Sequence, residues 1–208
     1  MEGDHGTMKV LLINGSAKEK GCTFTALSEV ARGLNESGVE TEILSLGTKP
    51  VADCMGCGKC RETGACVFGD IVNEIVEKAK TADGFVFGSP VYYAHASGRL
   101  LSVLDRAFYS GGKEFAFKPG AAVVSARRGG TTASLEVINK HFSINQMPIV
   151  TSNYWNMVHG NTPDEVRQDK EGMRTMYNLG RNMAWMIKCI QAGPEHPQNE
   201  KESMNFIR

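Results

Sequence analysis

Four of the chain's six cysteines stand in one run, Cys54-x2-Cys57-x2-Cys60-x5-Cys66. Two-residue gaps let successive thiols turn toward one centre, and Gly56 and Gly58 leave backbone N–H groups free beside them. Such runs hold iron–sulfur clusters. The same residues also fit a C-x-x-C dithiol switch. Zinc fits them less well, because a ribbon needs two C-x2-C knuckles further apart. A disulfide staple belongs to exported chains, and the acidic, polar opening MEGDHGT is not a secretory signal. The run by itself leaves cluster, redox thiols, zinc and disulfide open. Cys189 lies on an apolar helical pattern and is expected in the core.

Three other segments carry chemistry-bearing residues. Gly15-Ser16-Ala17-Lys18-Glu19-Lys20-Gly21-Cys22-Thr23 combines two glycines, hydroxyls at Ser16 and Thr23, and a cation at Lys18. It opens a helical pattern, whose free N–H groups and dipole attract anions. Neither the Walker sequence nor G-x-G-x-x-G is present, so the loop suits a monophosphate such as that of FMN. Cys22 is a free thiol beside it. Ser89-Pro90-Val91-Tyr92-Tyr93 offers a rigid proline and two aromatic rings that can flank a flat ring system. Ser125-Ala126-Arg127-Arg128-Gly129-Gly130 offers paired glycines for close backbone approach. The histidines form no catalytic set, and no Ser-His-Asp arrangement can be assigned.

The elements that must position these segments alternate in type. Lys9–Ile13, Glu40–Leu46, Gly84–Gly88, Ala121–Ser125 and Met147–Val150 read as short buried strands. Between and after them, 23–37, 70–82, 97–109 and 131–142 show helical spacing. A final helix is expected from Thr162-Pro163-Asp164-Glu165, a capping box with proline in the first turn. Five strands alternating with five helices predict an α/β fold, a doubly wound parallel sheet with helices on both faces. In such a sheet ligands sit outside the carboxyl ends of the strands. All three candidate loops fall there.

Composition narrows the class. Lys+Arg and Asp+Glu both total 23, so no bulk charge attracts nucleic acid or an anionic membrane. No apolar run reaches the roughly 18 residues of a membrane span. The expectation is a cytoplasmic chain with reduced thiols. Residues 1–7 read as an expression leader, 8–192 as one domain, and 193–208 as a polar, frayed tail.

These motifs resemble the NADPH-dependent FMN reductase family, of flavodoxin-like fold. Ser16-Ala17-Lys18 through Thr23 is similar to its phosphate loop, with Cys22 where that family usually has asparagine. Ser89-Pro90-Val91-Tyr92-Tyr93, Ser97-Gly98 and Leu104-Asp105-Arg106 resemble its second signature. The cysteine run after the second strand, with Phe115-Ala116-Phe117-Lys118, resembles the iron–sulfur flavoproteins of anaerobic microbes. The resemblance implies a five-stranded sheet in the order 2-1-3-4-5 and an FMN-dependent oxidoreductase. FMN would be bound by Ser16, Lys18, Cys22, Thr23, Pro90, Val91, Tyr92, Tyr93, Ser125, Arg127, Gly129 and Gly130. It further implies a [4Fe–4S] cluster on Cys54, Cys57, Cys60 and Cys66, with NAD(P)H as co-substrate. The implied partners are a small-molecule acceptor or a ferredoxin-type carrier, in a homodimer or homotetramer.

Overall fold

The computed structural model describes residues 7–197 and residues 200, 202, 204 and 206. The expected leader therefore lies almost wholly outside the described residues, and so does part of the expected tail.

The strands form where apolar β-branched and aromatic residues run uninterrupted. Strand β1 (Lys9–Asn14) is buried along nearly its whole length, as a strand covered on both faces must be. It pairs in parallel with β2 (Glu40–Ser45) on one side and with β3 (Gly84–Tyr92) on the other. Beyond β3 lies β5 (Gly120–Ala126), and beyond that β6 (Met157–His159), both parallel. The parallel order is β2-β1-β3-β5-β6, the expected 2-1-3-4-5 with strands counted as they add to the sheet. An additional two-residue strand, β4 (His95–Ala96), folds back antiparallel onto the end of β3.

One strand lies elsewhere than expected. Residues 147–150 make only a bridge from Ile149 to Gly120, at the start of β5. Val150 donates to the Gly120 carbonyl, and Gly120 donates to that of Pro148. The chain then turns away, and Met157–His159 returns to pair with the second half of β5. The outer edge of β5 is thus covered in two pieces. Residues 151–156 project between them and expose Tyr154 and Trp155.

Helices cover both faces. On one side α1 (Cys22–Glu36) and α7 (Lys170–Ala192) bury Leu27, Val30 and Leu34 against Met176, Leu179, Met183 and Ile187. Glycines let these helix backbones meet directly: a Cβ on Gly180 would strike the Val30 carbonyl, and one on Gly33 the Tyr177 carbonyl. On the other face α3 (Ile71–Ala79), α4 (Gly98–Phe115) and α5 (Thr131–Ile144) pack over Phe85 and Phe87 of β3, α5 through its own Phe142. A single turn, α2 (Cys60–Thr63), sits inside the cysteine segment.

The expected last helix is two. The capping box starts α6 (Pro163–Gln168), where Thr162 accepts from the Glu165 amide. Asp169 then ends α6 and caps α7 by accepting from Gly172. Cys189, expected in the core, is exposed, because the buried stripe of α7 passes through Ala184 and Ile187 on the opposite face.

Candidate FMN site and cysteine cavity

The carboxyl ends of β1, β3 and β5 lie side by side. Asn14 pairs in register with Gly88, and Pro90 with Ser125. Asn14 is fully buried and organises the first loop with its side chain. It accepts from the Ser16 amide and donates to the Glu19 carbonyl and the Ser45 hydroxyl. Ser16 Oγ accepts in turn from the Lys18 amide. Gly21 caps α1 with no side chain, so the first amides of the helix, at Cys22, Thr23 and Phe24, keep free N–H groups. Lys18 is exposed beside them, and free N–H groups at a helix start are the kind of donors that an anion uses.

Two predicted residues from different loops meet here. Thr23 Oγ1 and Ser125 Oγ are 2.8 Å apart and buried. The Cys22 thiol donates to the Gly160 carbonyl at 3.7 Å. Burial pushes that thiol's pKa up, against the pull of its own backbone contact and of Lys18.

The second predicted loop is a hairpin. Val91 pairs with Ala96 and Tyr92 with His95, leaving Tyr93 and Ala94 as the two turn residues with φ of 51° and 58°. That is the I′ geometry, which favours Asn-Gly. Non-glycine residues held at positive φ mark a turn fixed by its surroundings. Ser89 Oγ accepts from the Ser97 amide, and Ser97 Oγ donates to the Gly15 carbonyl; these bonds tie the hairpin base to the first loop. Gly130 (φ 92°) packs against its tip, next to Val91 and Ala94.

The structure therefore brings Ser16, Cys22, Thr23, Pro90, Val91, Ser125 and Gly130 to one edge. Tyr92 and Tyr93 project outward from the hairpin, Tyr93 fully exposed. Arg127 and Gly129 are exposed on the third loop. Ser97 belongs to the second signature, but its bond to the first loop could not be read from spacing. Neither Asn14 nor Gly160 was singled out, and of these two only Asn14 left a signal, a polar residue ending an apolar strand.

The second site lies on the α3–α4 face. Cys54, Cys57, Cys60 and Cys66 all line one cavity of about 510 Å³, with Met55, Phe68 and Tyr109 among its other walls. All six cysteines are free thiols. Cys66 is fixed through its backbone, its amide donating to Asn73 and its carbonyl accepting from it. Its sulfur accepts two hydrogen bonds from Arg106, at 3.3 and 3.2 Å. Cys60 donates to the Tyr109 carbonyl at 3.7 Å. Gly56 and Gly58 adopt φ of 67° and 72° with open space where a Cβ would stand. Among the described residues no three Cys, His, Asp or Glu side chains converge closely enough to hold a metal ion. The four thiols share a cavity without yet meeting.

The model of the NADPH-dependent FMN reductases matches residues 8–162. The chain belongs to that family. Within this FMN reductase family it joins the iron–sulfur flavoproteins. One from Methanocaldococcus jannaschii is 35% identical over 192 residues, 88% of this chain and 100% of the relative. Another, from Methanosarcina thermophila, is 32% identical over 191 residues, covering 88% and 97%. Solved structures agree on the fold. RosB with bound 8-demethyl-8-formylriboflavin-5′-phosphate superposes with a TM-score of 0.70 at 12% identity, over 97% of this chain and 93% of that one. The NAD(P)H:quinone oxidoreductase of Methanothermobacter marburgensis gives 0.66 at 16%, over 94% and 100%. Membership makes the chain a flavin-dependent oxidoreductase, with FMN as the family's cofactor. No helix among the described residues is long and apolar enough to cross a membrane.

Proposed function

We propose that this chain is an FMN-dependent oxidoreductase whose cysteine segment holds a [4Fe–4S] cluster, and that it passes electrons between the two groups and an external partner. The observation that carries the cluster is the single cavity lined by all four thiols of the run. Gly56 and Gly58 supply the backbone freedom that convergence needs.

At the sheet edge, Ser16, Lys18 and Thr23 hold the phosphate together with the first amides of α1. Pro90, Val91, Tyr92 and Tyr93 line the ring; Ser125, Arg127, Gly129 and Gly130 close its far side. Bound FMN supplies the hydride and electron chemistry, and the protein binds and orients it. No side-chain acid or base is assigned an essential role. NAD(P)H serves as co-substrate, and a small-molecule acceptor or a ferredoxin-type carrier exchanges electrons with the chain. The FMN-binding unit spans residues 8–192, works in a reducing compartment such as the cytoplasm, and assembles as a homodimer or homotetramer.

A second reading has one observation in its favour. The thiols share a cavity without converging, as they would in a cluster-free quinone or nitro reductase with a thiol site. Purification without oxygen, followed by counting iron, sulfide and flavin per chain, separates the two. The cluster reading expects one flavin and about four irons. Flavin without iron selects the thiol site. Absence of both, with no tight binding of added FMN, refutes both.

A further inference from the structure

We propose that Arg106 is a positioning residue that clamps the cysteine segment shut and sets the reduction potential of a cluster ligated through Cys66. The inference rests on the cluster reading above.

Arg106 is 1% exposed and projects from α4 into the wall of the cysteine cavity. A guanidinium has five N–H donors in a fixed fork, and here all five are used. Nε and Nη2 each donate to Cys66 Sγ. Nη2 also donates to Asp70 Oδ1 at 2.7 Å, and Nη1 to Asp70 Oδ2 at 2.8 Å. The remaining donor of Nη1 reaches the Ala52 carbonyl at 3.2 Å. The Phe68 ring lies over the guanidinium, 4.5 Å from its centre. One side chain therefore grips the segment before Cys54, through Ala52, and after Cys60, through Cys66, Phe68 and Asp70.

An arginine recruited only to pair with Asp70 would have no need of sulfur. Here two of its five donors converge on one thiol of the four-cysteine run. N–H donors to a ligating sulfur and a nearby positive charge favour the reduced, more negative form of an iron–sulfur site, which raises its potential. The Asp70 carboxylate, paired to the same guanidinium, works the other way. The two residues thus push the potential in opposite directions, although both belong to the same buried contact.

The test compares wild type with Arg106→Gln, Arg106→Lys and Asp70→Asn, all purified without oxygen. Iron is counted first, and the midpoint of the cluster signal is then read by anaerobic redox titration. Asparagine still caps α3 at position 70, so Asp70→Asn keeps the fold while losing the charge. Arg106→Lys keeps the charge and loses the fork onto sulfur. Both arginine variants are expected to shift the midpoint negative and Asp70→Asn to shift it positive. The expected size is about a tenfold change in the reduced-to-oxidised ratio at fixed potential, or about 59 mV for a one-electron couple. If Arg106→Gln loads no iron, the clamp is supported, and the potential is judged from the other two variants. Full iron with unmoved midpoints, or shifts of one sign in all variants, overturns this proposal alone. A wild type without iron overturns the cluster reading and this proposal with it.

Discussion

Gly129 and Gly130 are neighbours in sequence with opposite structural standing, so substituting each with alanine tests how the third loop meets the hairpin. At Gly130 the backbone has φ of 92°, and an added Cβ would lie 2.8 Å from Ala94 Cβ and 3.0 Å from Val91 Cγ1, with Ala94 Cα closer still. The left-handed conformation costs an alanine about 1–2 kcal/mol. Overpacking against a turn that is itself held at positive φ adds about 1–3 kcal/mol. Together these amount to about 2–5 kcal/mol. In a chain of this size each kcal/mol moves Tm by about 2–4 °C, so Gly130→Ala should melt roughly 4–20 °C lower. Because the hairpin must shift to make room, FMN affinity should also fall about tenfold, or about 1.4 kcal/mol. Gly129 has nothing within 4 Å of its ideal Cβ, so Gly129→Ala should leave the melting temperature unchanged. Thermal melts of the flavin-free protein and fluorescence titration with FMN read the two effects. Equal behaviour of the two variants would refute the packing of the third loop against the hairpin as the basis of the ring site.

Thr23→Val removes one partner of the buried Thr23–Ser125 contact and strands the Ser125 hydroxyl. A loss of about 1–3 kcal/mol in stability should appear together with weaker FMN binding, and adding Ser125→Ala should recover part of the stability in a double-mutant cycle. Gly180→Ala places a Cβ against the Val30 carbonyl, with the Leu34 amide 2.9 Å away. About 1–3 kcal/mol should be lost in denaturant melts, with FMN affinity unaltered because this contact lies away from the site. Glu42 bridges Lys78 and Lys9, whose hydrogen bonds hold its carboxyl below its ordinary 4.5. A lowered folded-state value means that its stabilisation is complete above about pH 4.5 and is lost as pH falls below that. Glu42→Gln should therefore lower stability by at most about 1 kcal/mol at pH 7 and converge with wild type in acid melts.

Long, periodic segments declare their type in the sequence itself. The buried runs at 9–13 and 84–88 and the helical stripes of α1, α3 and α4 carry enough repeats to declare their type. Short elements do not. Met157–His159 has three residues and no period, whereas the more apolar 147–150 advertised a strand but gives only one bridge, because the chain leaves the sheet at 151. The Tyr93–Ala94 turn was hidden because neither residue is one that such a turn favours. Asp169 broke the final helix unseen because a helical period continues on both sides of it. The candidate FMN residues were legible as loops at one sheet edge, but the contact between Thr23 and Ser125 depends on register between strands distant in sequence. Arg106 did leave a trace: it falls on the apolar stripe of α4 beside Val103 and Ala107, a position where a charge asks for buried partners.

The attachment of the cysteine segment bears on how such chains can change over generations. The segment between β2 and α3 is anchored from outside by Arg106 and Asn73, with single bonds from Arg99 to the Thr48 carbonyl and from Cys60 to the Tyr109 carbonyl, while the flavin edge draws on a different set of side chains. Descendants could shorten, lengthen or discard the cysteines at little expense to the flavin half, and an ancestor lacking them could acquire them as an inserted cartridge. Arg106 and Asn73 would then be the scars to look for, Arg106 still paired with Asp70 at the start of α3 but with no sulfur beside it.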